Sequence, residues 1–147
     1  MRRRILVIAN ETVAGIELRE EIVRRAREDD AELLVVCPAL NSRIRHWLSD
    51  DDGARAEAGR RLESSLEALL AAGVDARGHV GDSDPLQALE DALRAFGAEE
   101  VVVSTHPPGR SNWLERDVVG RARARHRLPI EHLVVDLGRA QPALHAA

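Results

Sequence analysis

A chain of 147 residues is the size of one domain, and folding at that length buries roughly 68–70% of the surface that the unfolded chain exposes. Apolar residues make up 44% of the sequence but aromatic ones only 2%, so the core must rest on Leu, Val and Ile, an aliphatic set suited to helices stacked on a sheet. All 21 basic residues are arginine, which removes chemistries built on a lysine, such as phosphate-loop NTPases, Schiff-base enzymes and two-component receivers, while a net charge of −4 argues against nucleic acid or an anionic membrane as partner.

In chain order the first element is ILVIA at residues 5–9, a continuous apolar run that fits a strand buried on both faces. Leu18, Ile22, Val23 and Ala26 then repeat at helical spacing, and Asp29 with Asp30 marks the end of that helix. LLVVC, residues 33–37, is the second buried strand, closed by Pro38. The segment ALNSRIRHWLSDDDG is the longest irregular connection. Ser49 or Asp50 is positioned to cap a long helix carrying Ala58, Leu62, Leu66, Leu69 and Leu70, with Gly73 at its end. VDARGHV, residues 74–80, alternates apolar and polar, as an edge strand with one wet face does. Asp84, Pro85 and Gln87 form a helix start in which the aspartate caps, the proline fixes φ and the glutamine reaches back. Leu86, Leu89, Ala92, Leu93 and Phe96 make that helix's apolar face, and Gly97 follows. VVV at 101–103 is the fourth strand. After the loop THPPGRS, Asn112 and Glu115 repeat the capping pattern ahead of Leu114, Val118 and Ala122. Pro129 introduces the fifth strand, IEHLVVDL, residues 130–137, and residues 138–147 read as a loose tail.

Five strands separated by four helices, without repeat or linker, predict one open, doubly wound α/β domain over residues 1–137, with a parallel sheet and helices on both faces. In such sheets ligands sit beyond the carboxyl ends of the strands, where the winding reverses. The only cysteine, Cys37, excludes an internal disulfide and points to a reducing compartment. The start MRRRILVIANE has too short an apolar run for a signal segment, and no stretch approaches membrane-spanning length, so a soluble cytoplasmic protein is expected.

Several phrases carry a resemblance. RRILVIANE is similar to the first strand of the universal stress protein family, GDSDPLQALEDALRAFGAEEVVVS to its third-helix and fourth-strand unit, and LPIEHLVVD to its terminal strand. The resemblance spans nearly the whole chain. It implies a five-stranded sheet in the order 3-2-1-4-5, adenine-nucleotide binding by ATP or AMP, and a homodimer joined through the fifth strand, residues 130–137. ATP-binding members carry a signature after the fourth strand: glycine, two residues, glycine, nine residues, then glycine followed by serine or threonine. Here its first position falls on Ser104 and its second on Pro107. Gly120 matches the third only with extra residues, Arg121 replaces the hydroxyl residue, and Asn10 stands where binders often have an acid.

The candidate ligand residues are those expected at the ends of the first and fourth strands: Asn10, Glu11 and Thr12 on one side, and Thr105, His106, Gly109, Arg110, Ser111 and Asn112 on the other. Gly109 to Asn112 offer backbone amides ahead of a helix start, an arrangement that attracts phosphate, and Arg110 supplies a guanidinium fork. Pro107 and Pro108 lack amides and stiffen the approach, so HPPGRS is either a shortened anion cradle or a rigid replacement for one. Ser111 and Asn112 would cap a helix in any case. Between Ser104 and Arg127 six arginines oppose Glu115 and Asp117, a local +4 that leaves −8 for the rest, though helical arginines usually make a solvated face. Cys37 without a glycine elbow reads as a small buried hydrophobe. Trp47 and Trp113 are available to stack on a nucleotide ring or to anchor packing. Six histidines lack metal-ligand spacing, and no Ser/His/Asp order or paired-carboxylate motif stands out. The expected function is a stress-response protein that binds an adenine nucleotide or another anion and is not an enzyme. The rival reading is a ligand-free homodimeric interaction module of the same fold.

Overall fold

A computed structural model describes residues 3–9, 16–38, 51–82, 84–105 and 113–135. Strands and helices alternate as β1 (Arg4–Ala9), α1 (Ile16–Asp29), β2 (Glu32–Pro38), α2 (Asp51–Ala71), β3 (Asp75–Gly81), α3 (Pro85–Phe96), β4 (Glu100–Thr105), α4 (Trp113–Arg125) and β5 (Ile130–Val134). The sheet order is β3-β2-β1-β4-β5, and every pairing is parallel. The doubly wound sheet expected from the sequence is therefore the one observed.

The uninterrupted apolar runs have a simple cause: the three central strands are covered on both faces. Ile5, Val7 and Ala9 of β1 and Leu33, Val35 and Cys37 of β2 pack with Leu18, Ile22 and Ala26 of α1 and with Ala58, Leu62 and Leu69 of α2. The alternate residues Leu6, Ile8, Leu34 and Val36, with Val101 and Val103 of β4, meet Leu86, Leu89 and Phe96 of α3 and Val118, Val119 and Ala122 of α4. The register Ile5↔Leu33 and Leu6↔Val101 keeps each set on its own face. Full burial of one such aliphatic side chain contributes about 1.5–3 kcal/mol, so these two clusters supply the main drive to fold. The edge strand β3 shows the expected alternation: Ala76 is buried, while Asp75, Arg77 and His79 are exposed.

Helix ends follow local chemistry, with one correction. Gly73 (φ +83°) ends α2 and Gly97 (φ +69°) ends α3, both in the left-handed region that glycine enters without a Cβ penalty. Asp84 caps α3 by accepting from the Leu86 N–H at 3.0 Å, with Pro85 in the first turn. Gln87 does not reach back. Its amide donates forward to Asp91 Oδ1 at 2.8 Å, and the Asp84 N–H goes instead to Asp82 Oδ1 at 2.8 Å. A glutamine in the first turn can serve either partner, and the acid one turn later wins because Asp82 already satisfies the cap amide. The expected cap residues of α2 and α4, the end of the fifth strand at 136–137, the domain limit at 137 and the tail 138–147 lie outside the described residues.

Candidate functional site

The sheet reverses its winding between β1 and β4. These strands are neighbours, with Ala9 opposite Ser104 at their carboxyl ends, yet their following helices lie on opposite faces: α1 packs in the cluster with Val7 and Val35, α4 in the cluster with Leu6 and Val103. The helix after β1 thus covers one face and the helix after β4 the other, and the carboxyl ends of two strands related in this way are where ligands of open α/β sheets sit.

At these carboxyl ends Ala9 and Thr105 are fully buried and Ser104 is 2% exposed. Ser104, at the first position of the nucleotide signature, belongs to the sheet, paired with Ala9 on one side and Leu133 on the other. Of the predicted ligand residues, Thr105 is the one among the described residues; Asn10, Glu11, Thr12, His106, Gly109, Arg110, Ser111 and Asn112 lie outside them. Thr105 Oγ1 stands 2.6 Å from His132 Nε2 on β5. Whichever tautomer the imidazole takes, this hydroxyl is turned along the sheet toward the edge strand. The sequence reading missed this contact, because it depends on knowing that β5 lies beside β4.

Other candidate groups have structural surroundings. Cys37 is 1% exposed within the α1/α2 cluster, as expected of a small hydrophobe. Among the described residues no group of three or more His, Cys, Asp or Glu is placed to hold a metal ion. None of the helices among them is long and apolar enough to cross a membrane. An open groove of about 460 Å³ runs along the outer side of α1, lined by Arg19, Glu20, Val23, Arg24, Arg27 and Glu28. This is the solvated face of one helix, away from the carboxyl ends of β1 and β4.

Among the described residues a dense charge cluster sits at the opposite pole, where the strands begin. Glu100, 8% exposed, accepts from Arg3 at 2.8 Å and from Arg25 at 2.5 Å. Arg25 also donates to Glu21 at 2.9 Å and to Glu131 of β5, so one guanidinium ties α1 to two strands. Burial works against the Arg25 charge, but hydrogen bonds to Glu131 and Glu21 outweigh it and raise its pKa above the usual arginine value. Hydrogen bonding from Arg24, stronger than the opposing effect of burial, holds the Glu21 carboxyl below the usual carboxylate range. The two charges of each pair are satisfied within the protein, and their distance from the carboxyl ends of the strands gives them no part in a site there.

Comparison with solved structures decides the fold. A universal stress family protein from Burkholderia pseudomallei superposes with a TM-score of 0.62 at 19% identity, covering 88% of this chain and 94% of the other. The chain has the universal stress protein fold. The universal stress protein of Archaeoglobus fulgidus in complex with dAMP gives 0.61 at 16% identity, covering 90% and 98%. A universal stress family protein from Arabidopsis thaliana with AMP bound gives 0.59 at 12%, covering 93% and 94%. No protein-family model and no curated protein matches the sequence.

Proposed function

We propose that this is a cytoplasmic, universal-stress-type binding protein that takes an adenine nucleotide, AMP or ATP, in the crevice between β1 and β4, acts as a homodimer paired through β5, and turns over no substrate. The observation that carries the reading is the winding reversal at Ala9↔Ser104, with α1 and α4 leaving on opposite faces. It is supported by two proteins of the same fold that hold dAMP and AMP. The residues that follow β4 in sequence suit the phosphate end: Gly109 brings no side chain, the amides up to Asn112 precede α4, and Arg110 offers paired donors. The non-enzymatic part of the proposal rests on the sequence, in which no nucleophile, base and orienting acid stand in order.

Calorimetric titration with AMP, ATP and FMN tests the ligand. Saturable binding of an adenine nucleotide, weakened by Gly109→Val and by Arg110→Ala, is the expected result. No heat with any of the three removes the nucleotide reading and leaves the ligand-free interaction module. The dimer is a separate measurement. Val134 is 42% exposed on the edge strand, and an apolar strand edge invites a second chain. Light scattering at micromolar concentration should give twice the chain mass.

A further inference from the structure

Strand β4 parts from its two neighbours at different points. Among the described residues its ladder with β1 ends at Ala9↔Ser104, one residue short of Thr105, while its ladder with β5 runs on to Thr105↔Val134. The last rung of β4 is therefore made on β5, where the Val135 N–H donates to Thr105 O at 2.8 Å. The side chain adds a second tie to the same strand. Thr105 lies two residues beyond Val103, so both face α3 and α4; His132, opposite Val103 and two residues beyond Ile130, shares that face. Thr105 Oγ1 meets His132 Nε2 at 2.6 Å, with the threonine fully buried and the histidine half-buried. A branched Cβ has few χ1 wells, and a hydroxyl held at one point selects one of them.

We propose that His132 is a positioning residue for the nucleotide site: through the Thr105 hydroxyl it holds the last residue of β4 in the arrangement from which the stretch up to Asn112, given to phosphate above, departs. The inference rests on the nucleotide reading and deepens it by naming a residue that acts without touching the ligand. Packing alone does not call for an imidazole at this place. Its neighbours on the same face, Val103 of β4 and Ile130 of β5, are aliphatic, and a third aliphatic side chain would cover the sheet as they do. What the imidazole adds is a partner for the hydroxyl. A site whose competent arrangement is only fractionally populated loses affinity in proportion to that fraction. One buried hydrogen bond biases such a balance by about fivefold, which sets the scale of the contribution.

Calorimetric titration of AMP into the full-length parent and its variants, each checked for folding by circular dichroism, tests the role. Thr105→Val keeps the shape and removes the hydroxyl, and His132→Leu removes the ring nitrogens. Each should weaken AMP about fivefold, and the double variant should bind no more weakly than either single one, because both substitutions remove the same contact. Thr105→Ser, which keeps a hydroxyl, should recover most of the loss. If the buried Thr105→Val does not fold, the half-buried His132→Leu decides alone. Parental affinity in the single variants, whatever their melting temperatures, marks a merely structural contact and overturns the positioning role while sparing the nucleotide site. Losses that add in the double variant do the same. Tighter binding by His132→Leu also overturns it, since the released hydroxyl would then serve the ligand directly. A parent that takes up neither AMP nor ATP removes the nucleotide reading and this inference with it.

Discussion

Gly78 tests the packing of the β3 edge. It lies opposite Val35, and a Cβ added there would stand 2.7 Å from Val35 O, 2.9 Å from Leu62 Cδ1 and 3.2 Å from Leu66 Cδ1. The two leucine methyls can swing aside. The carbonyl cannot, since it belongs to the backbone of β2 between β1 and β3. Overpacking of this kind costs about 1–3 kcal/mol, and the loss of glycine's freedom in the unfolded chain returns about 0.4–1 kcal/mol. Gly78→Ala should therefore destabilise by about 1–2 kcal/mol, or roughly 3–6 °C in Tm. Two other glycines carry the opposite sign. At Gly59 in α2 the nearest atom to an added Cβ is Val80 Cγ2 at 3.8 Å, and at Gly120 in α4 nothing lies within 4 Å. In these helix interiors alanine should gain about 0.5–1 kcal/mol. Urea unfolding followed by circular dichroism measures all three. If Gly78→Ala is as stable as the parent with an unchanged m value, β2 and β3 do not approach as closely as described and the reasoning fails.

Asp84→Ala should cost about 1 kcal/mol by removing the α3 cap, whereas Gln87→Ala should stay within about 0.5 kcal/mol, as an exposed i,i+4 pair does; equal losses in thermal unfolding would restore a reciprocal cap. Glu21 has a folded pKa below its unfolded one, so its contribution is complete above the usual value of 4.5 and disappears as pH falls through the folded value. The stability gap between the parent and Glu21→Gln should thus be flat near neutrality and close below pH 4.5; denaturant titrations in which it widens on acidification would reverse the sign of that argument. Val134→Pro should dissociate the dimer and leave the monomer's circular dichroism unchanged, because the amide it removes points away from β4. A folded dimer persisting in that variant would place the interface elsewhere.

The strands were legible in the sequence wherever one physical constraint acted on every residue. Burial on both faces makes Ile5 to Ala9 and Val101 to Val103 uninterrupted apolar runs, and exposure of one face makes Asp75 to Val80 alternate. Side-chain partners were legible only where they are local and unrivalled. Asp84 has a cap amide two residues away and no competitor for it; Gln87 has two partners within one turn, and sequence spacing does not choose between them. Partners that the fold brings from afar left almost no trace. Glu100 meets Arg3 across 97 positions of chain, and the sole sign of that cluster is a charge set directly against an apolar strand. The same limit governs the candidate site. Strand order alone places it at the ends of β1 and β4, so its position could be foreseen. Which polar groups remain for a ligand is decided by the β4–β5 register: Val103↔His132 and Thr105↔Val134 put the imidazole diagonally beside the Thr105 hydroxyl on one face of the sheet. A hydroxyl at the end of β4 looks available to a ligand until its neighbouring strand is known, and here the His132 imidazole on that neighbour stands within hydrogen-bond distance of it.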